Sequence, residues 1–203
     1  MKRTKEDAAL TRQGVLDAAL KVFSRKGYSR AALEAVAKEA GVTRGAIYWH
    51  FKNKFEMFVA VLGDLYEKAI ERVHRVLNSR EKPREKIRCL ISELFMMFLS
   101  LEQSRIIEEV NIFRFEKRKE LKAFFIKHQE NVKGIRELIK DLIQEGINAG
   151  EFDSRLDPDI TTWALMSYLA GTKSAWLSGI TDIYSAENAE KLVDIFINGI
   201  AKR

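Results

Sequence analysis

The chain has one cysteine, Cys89, among 203 residues. No internal disulfide can form, and a reducing compartment suits such a chain. Proline is nearly absent, at Pro83 and Pro158 only, so little interrupts a composition rich in Ala, Leu, Ile, Glu, Lys and Arg that favours helix over strand. Long hydrophobic runs are missing as well. The longest, Leu94 to Leu99 (LFMMFL), falls far short of the roughly 20 residues that span a bilayer. The opening MKRTKEDAALTRQG lacks the apolar stretch of a secretory signal. These absences predict an all-α cytoplasmic protein with no membrane partner. Histidine is scarce too, at three, and no metal cluster or Cys/His nucleophile pair emerges. Glu71 and His74 form one Glu-x-x-His pair of the kind that holds two metal ions in helix bundles, but a second copy is absent: Phe125 precedes His128 and Ile47 precedes His50 at that spacing. No catalytic residue, metal or cofactor is expected. A di-metal enzyme is the rival reading, which stoichiometric iron or manganese in purified protein would favour.

What is present is unevenly placed. The formal net charge is +6, yet residues 1–54 hold 12 Lys/Arg against 5 Asp/Glu, while residues 55–203 hold 23 against 24. A basic small domain (1–54) followed by a near-neutral larger one (55–203) points to a polyanionic partner for the first, with a merely solvated basic surface as the alternative.

Helical periodicity predicts about nine helices. Thr4 with Asp7 resembles a helix start, and Ala9, Val15, Leu16, Ala19, Leu20 and Phe23 follow at helical spacing until Gly27. A short second helix covers about Ala32 to Ala40 and stops at Gly41; Thr43 caps a third running to His50, and Asn53 with Glu56 caps a long fourth. Pro83 suits the first turn of a fifth, a sixth spans about Gln103 to Phe113, and a seventh covers about Lys117 to Ala149. Asp157 with Pro158 opens an eighth, and Ser185 caps a ninth.

The second and third helices, joined by Ala37-Lys38-Glu39-Ala40-Gly41-Val42, read as a helix-turn-helix in which Ala37 permits close crossing and Gly41 the corner. At about 100° per residue, Ile47 and Phe51 share one side of the third helix, which must pack on the second, so the side that carries Arg44, Gly45, Tyr48 and Trp49 faces out. Gly45 costs about 1 kcal/mol against Ala inside a helix, and its missing side chain would let the helix sink into a groove. Arg44 can then donate two bonds to guanine O6 and N7, and Thr43 can reach a base or a phosphate. Tyr48, Trp49, His50 and Lys54 supply donors for phosphate oxygens, beside a helix N-terminus that favours an anion. Trp49 and His50 packing at the corner of the third and fourth helices is the plainer alternative.

The stretch GYSRAALEAVAKEAGVTRGAIYWHFKNKFEMF, residues 27–58, closely resembles the DNA-binding domain of the tetracycline-repressor (TetR) family, and VTRGAIYWHFKNK is most similar to AcrR-type multidrug-efflux regulators within it. The resemblance is strong over about residues 10–60 and architectural beyond. It implies a homodimeric regulator, usually a repressor, whose N-terminal domain binds a palindromic double-stranded operator through Thr43, Arg44, Gly45, Tyr48, Trp49, His50 and Lys54. It further implies a larger domain that binds a small, largely apolar effector, with efflux-transporter genes as a target. Phe95, Phe98, Phe113, Phe125 and Trp163 are the aromatics expected to line that effector cavity, with Glu109, Asn111 and His128 as orienting polar groups; plain core packing is the alternative for each aromatic. Small residues Ala164, Ser167, Ala170, Gly171, Ser174, Ala175 and Ser178 recur along the eighth helix, which with the ninth is expected to form a four-helix dimer interface, packing within one subunit being the alternative. One departure stands out. Members often open the second helix with Thr or Ser, whereas this chain has Ala31 and Ala32. A ligand-independent DNA binder, indifferent to sequence, is the second rival.

Overall fold

The computed structural model describes residues 5–99, 119–177 and 185–202. Among the described residues the chain is helical: α1 (Lys5–Arg30), α2 (Leu33–Ala40), α3 (Arg44–His50), α4 (Lys54–Leu77), α5 (Pro83–Leu99), α6 (Lys119–Asn148), α7 (Pro158–Leu177) and α8 (Ala186–Ile200). Eight helices stand against the nine expected because the predicted sixth, Gln103 to Phe113, lies outside the described residues, as does the Thr4 cap. The predicted eighth and ninth helices are α7 and α8. The one β-type pairing among the described residues is an isolated antiparallel bridge between Phe152 and Ala201.

Local signals set most helix ends. The regular helix of α1 breaks at Gly27 (φ 73°, ψ 157°), leaving a last turn to Arg30. Gly41 adopts the left-handed conformation (φ 66°, ψ 28°), and the Val42 N–H reaches back to the Ala37 carbonyl at 3.0 Å. This closure satisfies carbonyls that α2 would otherwise leave unpaired, and a side chain at Gly41 would be strained. Asn53 Oδ1 accepts the Glu56 N–H at 2.8 Å while the Glu56 carboxylate accepts from the Lys52 N–H at 2.6 Å, so side chains satisfy two backbone donors at the start of α4. Asp157 Oδ1 accepts the Ile160 N–H at 2.9 Å at the start of α7, and Ser185 Oγ accepts the Asn188 N–H at 3.2 Å at the start of α8.

The residues form two compact units. The first comprises Met1–Glu67 with Leu101–Ile126. Its core draws Val15, Leu16, Ala19 and Phe23 from α1, Val36 and Ala37 from α2, Ile47 from α3, Phe55, Met57, Phe58, Val61 and Leu62 from α4, and Leu121 and Phe124 from α6. Burying side chains of this size contributes about 1.5–3 kcal/mol each. Tyr28 extends this core, its ring 5.2 Å from Phe58 and 5.8 Å from Phe23. Met57 and Val61 are buried together with Phe55, Phe58 and Leu62, so the start of α4 is enclosed over much more than one stripe.

The second unit comprises Lys68–Ser100 with Lys127–Arg203. Its core joins Ile87, Leu90, Ile91 and Phe95 of α5, Ile139, Leu142 and Ile143 of α6, Leu165 and Leu169 of α7, and Val193, Ile197 and Ile200 of α8. After α6 the chain crosses back through Phe152, whose ring packs so closely on Gly146 that a Cβ on residue 146 would overlap the ring. The Asp153 N–H then donates to the Ile200 carbonyl at 3.0 Å and the Lys202 N–H to the Glu151 carbonyl at 3.1 Å. These bonds fasten the end of α8 to the segment after α6.

Candidate nucleic-acid interface

α3 is seven residues long, RGAIYWH, too short to persist without packing. Its cap and its anchor are both in place. The Thr43 backbone is extended (φ −76°, ψ 154°) and its Oγ1 accepts the Ala46 N–H at 3.2 Å, a contribution of about 1 kcal/mol. Ile47 is fully buried and Phe51 nearly so, with the Arg12 guanidinium 5.3 Å from the Phe51 ring centroid. One face of the helix is thereby fixed to the unit. The opposite face is left in solvent.

On that open face Thr43, Arg44 and Gly45 are exposed, Tyr48 is 45% exposed and Trp49 74%. An exposed tryptophan of this degree gains nothing from burial in the free chain. The Trp49 ring meets His50 edge-on at 4.6 Å, and His50 is half-buried. An open groove of about 320 Å³ runs between Ala8 of α1 and Ala46, Trp49 and His50 of α3. A Cβ added at Gly45 would meet only the Thr43 Oγ1, at 3.8 Å. Nothing inside the described fold demands glycine there, although glycine weakens the helix by about 1 kcal/mol.

Arg44 does not swing freely. Its Nη1 lies 2.5 Å from Glu34 Oε1 on α2, and its Nη2 donates to the Tyr48 hydroxyl at 3.1 Å. The guanidinium carbon also stands 5.4 Å from the centroid of the Tyr48 ring. The Tyr48 hydrogen bond first, and the Glu34 charge second, hold the Arg44 pKa above its ordinary value. Lys54, at the start of α4, donates from Nζ to the Ser29 carbonyl at 3.1 Å and sits over the Tyr28 ring. The structure therefore brings Thr43, Arg44, Gly45, Tyr48 and Trp49 together on one exposed face and adds Glu34, which the sequence pattern did not single out. Its signal was present only as an acid in the first turn of a helix next to the turn.

Helix α2 opens at Ala32 in extended conformation (φ −92°, ψ 146°) without a side-chain hydrogen bond at its cap. Ala31 is buried and Ala32 exposed, so the first serves the core and the second leaves a cap site unused.

The expected effector residues are scattered in their settings. Phe95 is buried in the core of the second unit, 6.0 Å from the Tyr168 ring. Phe125 packs against the core of the first unit, 5.5 Å from the Phe124 ring. His128 is buried, whereas Trp163 is 52% exposed, with the Arg136 guanidinium 5.6 Å from its ring. Phe95 and Phe125 fill two separate cores, and Trp163 lies on the surface. Phe98 belongs to α5, and Glu109, Asn111 and Phe113 lie outside the described residues. Glu71 and His74 are both exposed on α4. Among the described residues no three His, Cys, Asp or Glu side chains come together in a way that could hold a metal ion, and no helix is long and apolar enough to cross a membrane.

With this geometry in hand, comparison with known proteins is specific. Residues 15–61 match the profile of bacterial regulatory proteins of the tetR family. Residues 63–199 match that of the C-terminal region of YsiA-like proteins. The HTH-type transcriptional regulator TtgR of Pseudomonas putida is 30% identical over 196 residues, 96% of this chain and 93% of that protein. The HTH-type transcriptional regulator AcrR of Shigella flexneri is 56% identical over 57 residues, 28% of this chain and 26% of that one. Among solved structures, the regulator FadR from Bacillus subtilis in complex with stearoyl-CoA superposes with a TM-score of 0.68 at 23% identity, covering 93% of this chain and 98% of its own. That last likeness shows the fold.

Proposed function

For this chain, which belongs to the tetR family of bacterial regulatory proteins and is a ligand-responsive DNA-binding transcriptional regulator, we propose that α3 enters the major groove of a palindromic operator. The observation that carries this reading is the face of α3. Its apolar side is sealed by Ile47 and Phe51 while Arg44, Gly45, Tyr48 and Trp49 stand in solvent, chemistry that a groove and its phosphates can use and a protein core cannot. Arg44 reads guanine, Thr43 contacts a base or a phosphate, and Tyr48, Trp49, His50 and Lys54 hold the backbone. Gly45 lets the helix approach.

Dimer formation supplies the second recognition helix. In α7 the small residues Ala164, Ser167, Ala170, Gly171 and Ser174 are exposed along one stripe with Ile160 and Trp163, while Leu165 and Leu169 on the other side are buried. On α8, Ile195 is 65% exposed. An apolar, small-residue stripe of this length invites close helix packing, and we assign it to a two-fold interface of α7 and α8 with their symmetry mates. The two copies of α3 would then engage half-sites about 34 Å apart, or a multiple of that distance.

The regulator acts as a repressor released by a small, largely apolar effector bound in the larger domain. Ligand favours an arrangement in which the recognition helices no longer match successive grooves. The AcrR-type resemblance of residues 42–54 makes efflux-transporter genes the target to test first. FadR from Bacillus subtilis, solved with stearoyl-CoA, makes an acyl chain the second effector class to test beside aromatic drug-like compounds.

The deciding experiment is selection from a random duplex pool by the full-length protein at fixed salt, followed by titration of both effector classes. A two-fold symmetric sequence bound several kcal/mol more tightly than random duplex supports the reading. Equal affinity for all duplexes leaves only an architectural binder. Arg44→Ala should cost about 1–3 kcal/mol on the selected operator and relax its sequence preference.

A further inference from the structure

Glu34 is an anion on a face that is otherwise cationic and aromatic. Both partners of its ion pair are more than half exposed, with side chains 58% (Arg44) and 57% (Glu34) accessible, and pairs in such surroundings contribute little to stability. A carboxylate that faces a polyanion also opposes binding. Neither stability nor affinity accounts for it.

Geometry does. Arginine offers five N–H donors in a planar fork on a long flexible stem. Here Nη1 is held by Glu34 from α2, and Nη2 by the Tyr48 hydroxyl one turn further along α3. Two contacts from two helices pin the plane of the guanidinium, and each of the two nitrogens keeps a second N–H for another acceptor. An unpinned arginine beside duplex DNA has phosphates on every side and gains as much from them as from a base edge, so it carries little sequence information. A pinned one has lost much of the orientational freedom that guanine recognition would cost, and is held back from the phosphates by the negative charge beside it.

We infer that Glu34 is a positioning residue for base readout: with Tyr48 it holds the Arg44 guanidinium in the orientation that selects guanine, trading overall DNA affinity for discrimination. This rests on the assignment of α3 as the recognition helix and adds a residue of α2 to the reading of sequence.

Selection from a random duplex pool tests it, using full-length wild type, Arg44→Ala, Glu34→Gln and the double variant at one salt concentration. Arg44→Ala identifies the symmetric pair of base positions that Arg44 reads. Glu34→Gln keeps the shape of the side chain and removes the charge. It should lower the preference for guanine at that same pair by about threefold to tenfold while binding random duplex as tightly as wild type or more tightly. The double variant should discriminate no worse than Arg44→Ala alone, because both changes act through one guanidinium. Unchanged preference in Glu34→Gln would overturn the inference. So would lost preference at a different base pair, which would make Glu34 a direct reader, or a sharpened preference at the Arg44 position, which would make it a competitor for Arg44. A wild type that selects no sequence at all would remove the recognition-helix assignment itself, an outcome distinct from these three. Circular dichroism of each variant confirms folding, which the exposed position of Glu34 leaves undisturbed.

Discussion

The Lys54 ammonium sits 4.4 Å from the centroid of the Tyr28 ring. Tyr28 belongs to the last turn of α1 and Lys54 to the first residue of α4, so a charge placed at a helix start is held on the aromatic edge of the core. Its further hydrogen bond to the Ser29 carbonyl at 3.1 Å fixes the ammonium beside the segment that leads into α2. A cation so placed is ordered before any phosphate arrives, and the entropic cost of ordering a lysine is met within the free chain.

Lys54→Met keeps an unbranched stem against Tyr28 and removes the charge. The expected result is weaker binding to operator and random duplex alike, with the slope of log affinity against log salt shallower by about 1.8, because a dimer loses two phosphate contacts. An unchanged slope would exclude Lys54 from the phosphate contacts.

Gly45→Ala separates folding from recognition. The added methyl meets only the Thr43 Oγ1 at 3.8 Å, so the variant should be more stable, by up to about 1 kcal/mol in denaturant unfolding. Operator affinity should fall, because the methyl stands between α3 and the groove floor. A variant that gains stability and loses no affinity would show that α3 does not approach DNA at this residue.

Ala32→Ser restores the missing cap. Ala32 is already extended and exposed, and a serine Oγ there can accept the Ala35 N–H. Stability should rise by about 0.5–2 kcal/mol, read as a higher thermal midpoint. A midpoint no higher than wild type would mean that the end of α2 is already satisfied by solvent.

Ala170→Arg places a long charged side chain in the exposed stripe of α7. Sedimentation should report a monomer with unchanged helical content, and operator affinity should fall by at least about a hundredfold, because two half-sites are no longer bound as one unit. A dimer of wild-type stability would move the interface away from this stripe.

The primary structure by itself determined where most helices begin and end and which side of α3 is apolar. Those signals act over three or four residues: Thr43 on Ala46, Asn53 on Glu56, Asp157 on Ile160, Ser185 on Asn188. Neighbours along the chain meet whatever the rest of the molecule does, so such contacts can be read from spacing. Tertiary structure alone decided that Glu34 meets Arg44 across the turn, that Arg12 covers Phe51 and Lys54 covers Tyr28. It also decided that Met57 and Val61 are buried along with Phe58 and Leu62 at the start of α4, and that Gly146 is small to admit the Phe152 ring. Periodicity gives the direction in which a side chain leaves its helix and is silent on what waits there. That depends on how separate elements pack, since a pair of exposed charges adds too little energy to steer packing and forms only where the cores have already brought it together.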